Sequence, residues 1–218
     1  MNLEIWSDVV CPWCYIGKRR LESALANFEY ADAVSVTWRS FELDPQAPRE
    51  DAAPLDEVLS RKYGMTIDQA RAANARVSAL AAVEGLEYHL DRARRANSFD
   101  AHRLIHLAAE KGLQDEMKER LMLAHFTETA AIGDPAVLIR IAAEIGLEET
   151  EARDVLQTDR FAEEVRSDEA EARSIGISGV PFFVIERKWG ISGAQPVEVF
   201  SEALATAWAT LRAETATG

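Results

Sequence analysis

Two cysteines, Cys11 and Cys14, are the whole thiol content of the chain, and only Pro12 and Trp13 separate them. Thiols at this spacing can close a disulfide on each other, open one on a partner, or help to hold a metal ion. Before them, Leu3 to Val10 alternates loosely and carries the β-branched Ile5, Val9 and Val10, as a strand does. After them, Ile16, Leu21, Leu25 and Phe28 recur at helical spacing among Lys18, Arg19, Arg20 and Glu22, which predicts a helix from Trp13 through Phe28. The pair therefore falls at a strand-to-helix junction, where the first sulfur lies by unpaired N–H groups at the positive end of the helix dipole. The expected chemistry is a depressed Cys11 thiol acting as nucleophile, with Cys14, a turn later and more enclosed, as the resolving thiol.

A structural zinc site and a pair of inert core cysteines are the other readings of these residues. Zinc asks for four ligands, so His102 and His106, four apart on one predicted helix face, would have to complete a Cys-Cys-His-His set. Packing is the plainer role for those histidines, as it is for His89 and His125. Asp8, three residues before Cys11, is either a turn or capping carboxylate or a proton relay for Cys14.

The elements that must position this pair follow from periodicity. A second strand is expected over Val34 to Leu43, so strand, helix and strand suggest a parallel βαβ unit. Asp44-Pro45, Pro48 and Pro54 then break the alternation. Helices are predicted over 55–63, 66–84, 98–111, 114–131, 134–146, 150–157 and 159–175, with starts at Thr66 and Asp134-Pro135. Gly64, Gly85, Gly112, Gly133 and Gly146 end or separate them. The strand signal returns at Pro181 to Glu186, a short apolar run suited to a sheet centre, and a turn at Arg187-Lys188 makes a hairpin with Trp189 to Ser192. Gly179-Val180-Pro181 opens that run, with Pro181 at a position strands tolerate. A final helix from about Pro196 to Ala213 has Val199, Leu204, Trp208 and Leu211 as its inward stripe. The fold class expected is α/β, with residues 1–52 and 173–218 forming one domain and 53–172 a helical insertion.

Composition narrows the function classes. The 218 residues are 48% hydrophobic and 28% charged, enough to bury a substantial core, so disorder is excluded as the main state. With 24 Lys and Arg against 37 Asp and Glu, the net charge of −13 repels phosphate and argues against nucleic acid and anionic membranes as partners. No apolar run reaches the roughly 20 residues of a membrane span. The first residues show neither a basic n-region nor a continuous apolar h-region, so the expected location is the cytoplasm.

Taken in order, Ser7-Asp8-Val9-Val10-Cys11-Pro12-Trp13-Cys14, Asn97-Ser98-Phe99-Asp100-Ala101-His102-Arg103, Gly179-Val180-Pro181-Phe182-Phe183-Val184 and Ser192-Gly193-Ala194-Gln195-Pro196 closely resemble the DsbA-like branch of the thioredoxin superfamily, and within it the FrnE-type subgroup. The resemblance implies a thioredoxin-like fold carrying a large all-helical insertion, and a thiol–disulfide oxidoreductase passing through a mixed disulfide. It implies catalytic roles for Cys11, Cys14 and a cis Pro181 beside Cys11. Pro12, Trp13, Val180, Ser192 and Gly193 would meet the substrate, the Val180 backbone pairing with an extended chain. No bound cofactor or metal is implied. Partners would be disulfide proteins or small molecules, with glutathione as an eligible co-substrate. Pro-Trp stands where DsbA has Pro-His, which removes a potential cation beside Cys11. The resemblance also admits a glutathione-dependent isomerase or transferase, related to 2-hydroxychromene-2-carboxylate isomerase and the kappa-class transferases, and a peptide-binding chaperone module.

Overall fold

The computed structural model describes residues 1–49 and 53–216. The strand β1 (Asn2–Ser7), the helix α1 (Pro12–Ala26) and the strand β2 (Ser35–Ser40) form the expected parallel unit, with Ile5 opposite Trp38. β3 (Phe182–Ile185) and β4 (Trp189–Ser192) return as an antiparallel hairpin, and the sheet order is β2-β1-β3-β4. The apolar β3 run is thus an interior strand, as its composition indicated. Glu186 and Arg187 take left-handed φ values of 49° and 55° to make the tight turn.

Side-chain alternation gives the sheet two different faces. Leu3, Ile5, Phe183 and Ile185 share one face with α1 and the last helix, α9 (Val197–Ala216), where the Phe183 and Phe200 rings meet edge to face at 4.7 Å. Trp6, Phe182 and Val184 share the other face. There Trp6 Nε1 donates to the Asp168 carbonyl of the helix Ala162–Ser174 at 2.9 Å. The inward stripe of α9 is Phe200, Leu204 and Ala207: Leu204 lies where expected, Trp208 and Leu211 are half-buried, and Phe200 takes the place expected of Val199. Val199 is exposed, because its side chain turns away from Phe183 while Phe200 fills the space.

Between β2 and β3 run α2 (Leu55–Tyr63), α3 (Ile67–Val83), α4 (Phe99–Glu110), α5 (Gln114–Phe126), α6 (Pro135–Glu144), α7 (Glu149–Gln157) and α8 (Ala162–Ser174). Local signals set several of their ends. Thr66 and Gln69 form a capping box on α3, and the Asp134 carboxylate accepts from Ala136 N on α6 behind Pro135. Gln114 of α5 covers the free edge of β2, accepting from Trp38 N and donating to Trp38 O, both at 3.0 Å. A single apolar core joins Leu3 and Ile5 of the sheet to Leu104, Leu121 and Leu138 of the helices. Of the break expected between residues 52 and 53, residue 52 lies outside the described residues.

Three expectations need correction. The first and second strands end at Ser7 and Ser40, because Asp8 starts a turn and Leu43 N turns to bond its carboxylate. The helix expected to run to 131 stops at Phe126, and Thr129 takes a left-handed φ of 55°. Gly133 separates α5 from α6 as expected, without a left-handed φ. A side chain there would meet the Arg49 carbonyl oxygen, which lies only 1.7 Å from the place of a Cβ.

Glu42 follows β2 and is buried beside Glu169, with Arg166 Nη1 donating to both carboxylates. Burial pushes the Glu42 carboxyl up to about 7 against the lowering effect of Arg166, and the charge of Glu169 adds to the rise. A raised folded value means the fold holds this proton more tightly than the unfolded chain does. The associated stability is present at low pH and is lost as pH rises through about 7. Glu42→Gln should therefore have a higher urea midpoint than wild type at pH 8, with the difference shrinking toward zero near pH 5. A variant weakened equally at both pH values would contradict this.

Candidate active site

Cys11 is the N-cap of α1, with extended backbone (φ −91°, ψ 114°) and Pro12 at the first helical position, where a missing N–H costs nothing. Its backbone N donates to the Asp8 carbonyl at 3.3 Å, and Cys14 N closes the first turn onto the Cys11 carbonyl at 3.0 Å. Both thiols are free and both are buried, at 3% and 1% exposure, so Cys14 is the more enclosed by a small margin. Trp13 between them is 39% exposed and forms the surface of the motif.

The returning strand supplies the opposite wall. The Val180–Pro181 peptide is cis, and Cys11 Sγ donates to the Val180 carbonyl at 3.5 Å. Gly193, at φ 80°, donates its N–H to the Pro181 carbonyl at 2.8 Å, which fastens the Ser192-Gly193 loop to this segment. Gly17 of α1 makes the approach tight. A Cβ on it would lie 3.1 Å from Pro181 Cγ and 3.2 Å from the Phe183 ring. Cys11, Val180, Pro181 and Gly193 thus come together, while Pro12 is half-buried at the helix start and Ser192 lies exposed at the end of β4.

The helical segment reaches the pair from behind. Tyr88 donates its hydroxyl to the Pro12 carbonyl at 2.8 Å and stacks on Phe126 at 4.6 Å. A cleft of about 700 Å³ between α2 and α3 has Tyr88, Leu90, Asn74 and Ser78 in its lining. Lys118 of α5 is completely buried and donates from Nζ to the Ser7 carbonyl at 3.0 Å. Asp8 is equally buried, accepting from Leu43 N at 2.7 Å, Val10 N at 3.4 Å and His102 Nε2 at 3.3 Å. It is a turn carboxylate that also adds negative charge behind the thiols. His102 therefore faces Asp8, and His106 faces Ser40 and Asp168, so the Cys-Cys-His-His arrangement is not assembled. Among the described residues no group of three His, Cys, Asp or Glu side chains could hold a metal ion.

These neighbours decide the ionisation. Burial opposes charge on Cys14, but the hydrogen bond from Cys11, the Lys118 ammonium and the Ser7 hydroxyl outweigh it and lower its proton affinity. Cys11 is raised well above the ordinary thiol value by its hydrogen bond to Cys14, then by burial and by the charge on Cys14. In the dithiol form the first proton of the pair leaves easily and the second with difficulty. The expectation of a depressed Cys11 thus meets a correction. The helix terminus is there, but the strongest positive neighbour stands behind Cys14. Burial brings Lys118 itself down to about 8, against the opposing charges of Cys14 and Asp8. It lowers His102 below its ordinary value despite the bond to Asp8, and leaves His125, also buried, at about 4.

Lys118 and Tyr88 had no part in the sequence reading. The available signal for Lys118 was a cation on the same stripe as Leu121, Met122 and His125 of α5. Tyr88 sits in an aperiodic connection that carries no such signal.

A strand, a thiol pair at a helix start, and a cis-proline strand facing it across an all-helical segment define a thioredoxin fold of the DsbA type. The chain belongs to the DSBA-like thioredoxin domain family, whose model matches residues 2–205. It is 45% identical to a probable DsbA oxidoreductase, SCO1869 of Streptomyces coelicolor, with a TM-score of 0.92 over 96% of this chain and 90% of that one. It shares its fold with the cytosolic disulfide reductase DsbM of Pseudomonas aeruginosa, crystallised with GSH, at 21% identity and a TM-score of 0.66 over 97% and 100% of the two chains. A curated relative, the uncharacterized protein YwbO of Bacillus subtilis, is 28% identical over 94% of this chain and 96% of its own. No described helix is long and apolar enough to cross a membrane.

Proposed function

We propose that the chain is a thiol–disulfide oxidoreductase of the FrnE-type subgroup, working through Cys11-Pro12-Trp13-Cys14 by way of a mixed disulfide. The observation that carries this reading is the free Cys11 thiol at the head of α1, its sulfur 3.5 Å from the Val180 carbonyl. Cys11 passes its proton along the hydrogen bond to the Cys14 thiolate and then, itself as thiolate, attacks one sulfur of a substrate disulfide. A Cys11–substrate bond forms, the substrate's own S–S bond breaks, and one substrate sulfur leaves as thiolate. Cys14 then attacks Cys11 Sγ, forming the Cys11–Cys14 disulfide and releasing the second substrate sulfur. The two electrons given up by the pair reduce the substrate, and solvent protonates the departing thiolates. The reverse sequence oxidises a dithiol.

In this reading Pro181 shapes the site, and an extended substrate pairs with the Val180 backbone beside Pro12, Trp13, Ser192 and Gly193. Residues 53–172 act as a helical insertion that lids the pair between the two thioredoxin-like parts, 1–52 and 173–218. Substrates are disulfide proteins or small molecules. Glutathione serves as co-substrate and the cytoplasm as location, a reading supported by the cytosolic DsbM, which shares the fold and was crystallised with GSH. Neither nucleic acid nor a membrane is a partner.

The test is reduction of a disulfide-bonded peptide with glutathione as electron source. Turnover is expected in wild type and absent in Cys11→Ala. The cleft beside Tyr88 favours a second reading, a glutathione-dependent isomerase like the 2-hydroxychromene-2-carboxylate isomerase that shares the fold at 13% identity and a TM-score of 0.70. Isomerisation of a hydroxychromene carboxylate, with no peptide reduction, would favour that reading. Binding of unfolded chains that persists without either sulfur, again with no reduction, would favour a chaperone module.

A further inference from the structure

A lysine with no exposure at all is rarely left uncompensated, because an isolated ammonium in a protein interior has lost its hydration. Lys118 has that position with little to hold it. Among the described residues no carboxylate pairs with it directly. Its Nζ meets the Ser7 carbonyl at 3.0 Å and the Trp38 ring, whose centroid lies 5.5 Å away. The carboxylate whose charge most favours its ammonium is Asp8, and that carboxylate is already engaged by Leu43 N, Val10 N and His102. The helix α5 that carries Lys118 also carries Met122, one turn on, into the same buried cluster as Cys11 and Cys14. The anion that would complete the surroundings of Lys118 is therefore one that appears during exchange.

We propose that Lys118, reaching from the helical segment through α5, is the positioning residue that holds the charge of Cys14 as thiolate while Cys14 attacks the mixed disulfide. The proposal rests on the oxidoreductase reading and adds to it the reason the resolving step runs at neutral pH. Before attack, Cys14 gives its proton to solvent and its thiolate is held by the Lys118 ammonium. As the Cys11–Cys14 bond forms, that charge passes to the leaving substrate sulfur. The electrical surroundings support this direction. Asp8 from the β1–α1 turn, Cys11 and Cys14 from α1, and Asp115 from α5 all favour the ammonium, while Lys118 in turn opposes charge on His102 of α4.

The test uses the chromogenic disulfide 5,5′-dithiobis(2-nitrobenzoate) with the reduced full chain. Cys11 releases the first thionitrobenzoate and Cys14 the second, so the ratio of the two rates isolates the resolving step. In Lys118→Met, which keeps the length without the charge, the second release is expected to slow about tenfold near pH 7 and its half-rise to move up by about one pH unit. Lys118→Arg should keep the low half-rise. An unshifted Lys118→Met profile beside normal double release by wild type overturns the role of the lysine alone. A wild-type chain that releases one equivalent and stops overturns the oxidoreductase reading, and the proposal with it. Should the variants not fold, isotope-labelled lysine in the wild-type chain gives the answer by NMR. Lys118 Nζ is expected to titrate at higher pH in the dithiol than in the disulfide form, and equal titration in the two forms overturns the proposal.

Discussion

Cys14→Ala is expected to strand the protein as a mixed disulfide at Cys11 and to cut turnover by on the order of a hundredfold or more, because the only fast intramolecular attacker is gone. The geometry makes this effect large. Cys11 Sγ lies against the Val180 carbonyl under a helix start, and at 3% exposure a thiol from solvent reaches it poorly. Cys14, on the same helical turn, needs no approach path. Mass spectrometry after exposure to oxidised glutathione should show one covalent adduct, mapped to Cys11. Cys11→Ala should show neither adduct nor turnover. A glutathione-dependent isomerase would keep its rate in Cys14→Ala, since it requires no resolving thiol. A binding module would be indifferent to both changes.

The second large effect concerns stability, and it lies away from the sulfurs. Arg103 of α4 is 4% exposed, and its guanidinium binds four groups at once. Nε donates to the Arg160 carbonyl at 2.9 Å and Nη1 to Asp100 at 3.0 Å, while Nη2 bonds the carbonyls of Val155 and Thr158. One planar donor thus ties α4 to the end of α7 and to the connection into α8. Arg103→Met would leave three carbonyls without their donor and would leave Asp100 with Arg49 alone. The expected loss is roughly 3–5 kcal/mol, the range for breaking one side of a buried charged network. In a chain of this size that lowers Tm by about 10 °C. A loss below about 1 kcal/mol would mean that water or a shifted loop satisfies those carbonyls equally well.

What the sequence disclosed and what it hid divide along a physical line. Features written in neighbouring residues were legible: the capping box at Thr66, the Asp134-Pro135 helix start, the β-branched strands and the thiol pair at a strand-to-helix junction. The meaning of Pro181 was not readable from its neighbours, since a proline opening a strand is ordinary, and it came from the order of motifs. Effects that depend on distant chain segments stayed hidden. Lys118 is 104 positions from Cys14 by numbering, and on its own helix it reads as a cation whose stem covers apolar surface. Helix-dipole reasoning at Cys11 was sound for the isolated helix end. It missed that α5 delivers a positive charge behind Cys14 and that Asp8 delivers a negative one nearby. Likewise Phe126 ends α5 with no glycine or proline to announce it, and Val199 is a single apolar residue that tertiary packing leaves outside.

The central claim is that Cys11 and Cys14 act together as one two-electron couple. The most direct measurement is to treat the reduced wild-type chain with oxidised glutathione, block remaining thiols by alkylation, and map both cysteines by peptide mass. The account predicts a Cys11–Cys14 disulfide, with both halves of the glutathione released as free thiol. A stable glutathione adduct on either cysteine of the wild-type chain, or two cysteines recovered fully alkylated, would contradict it.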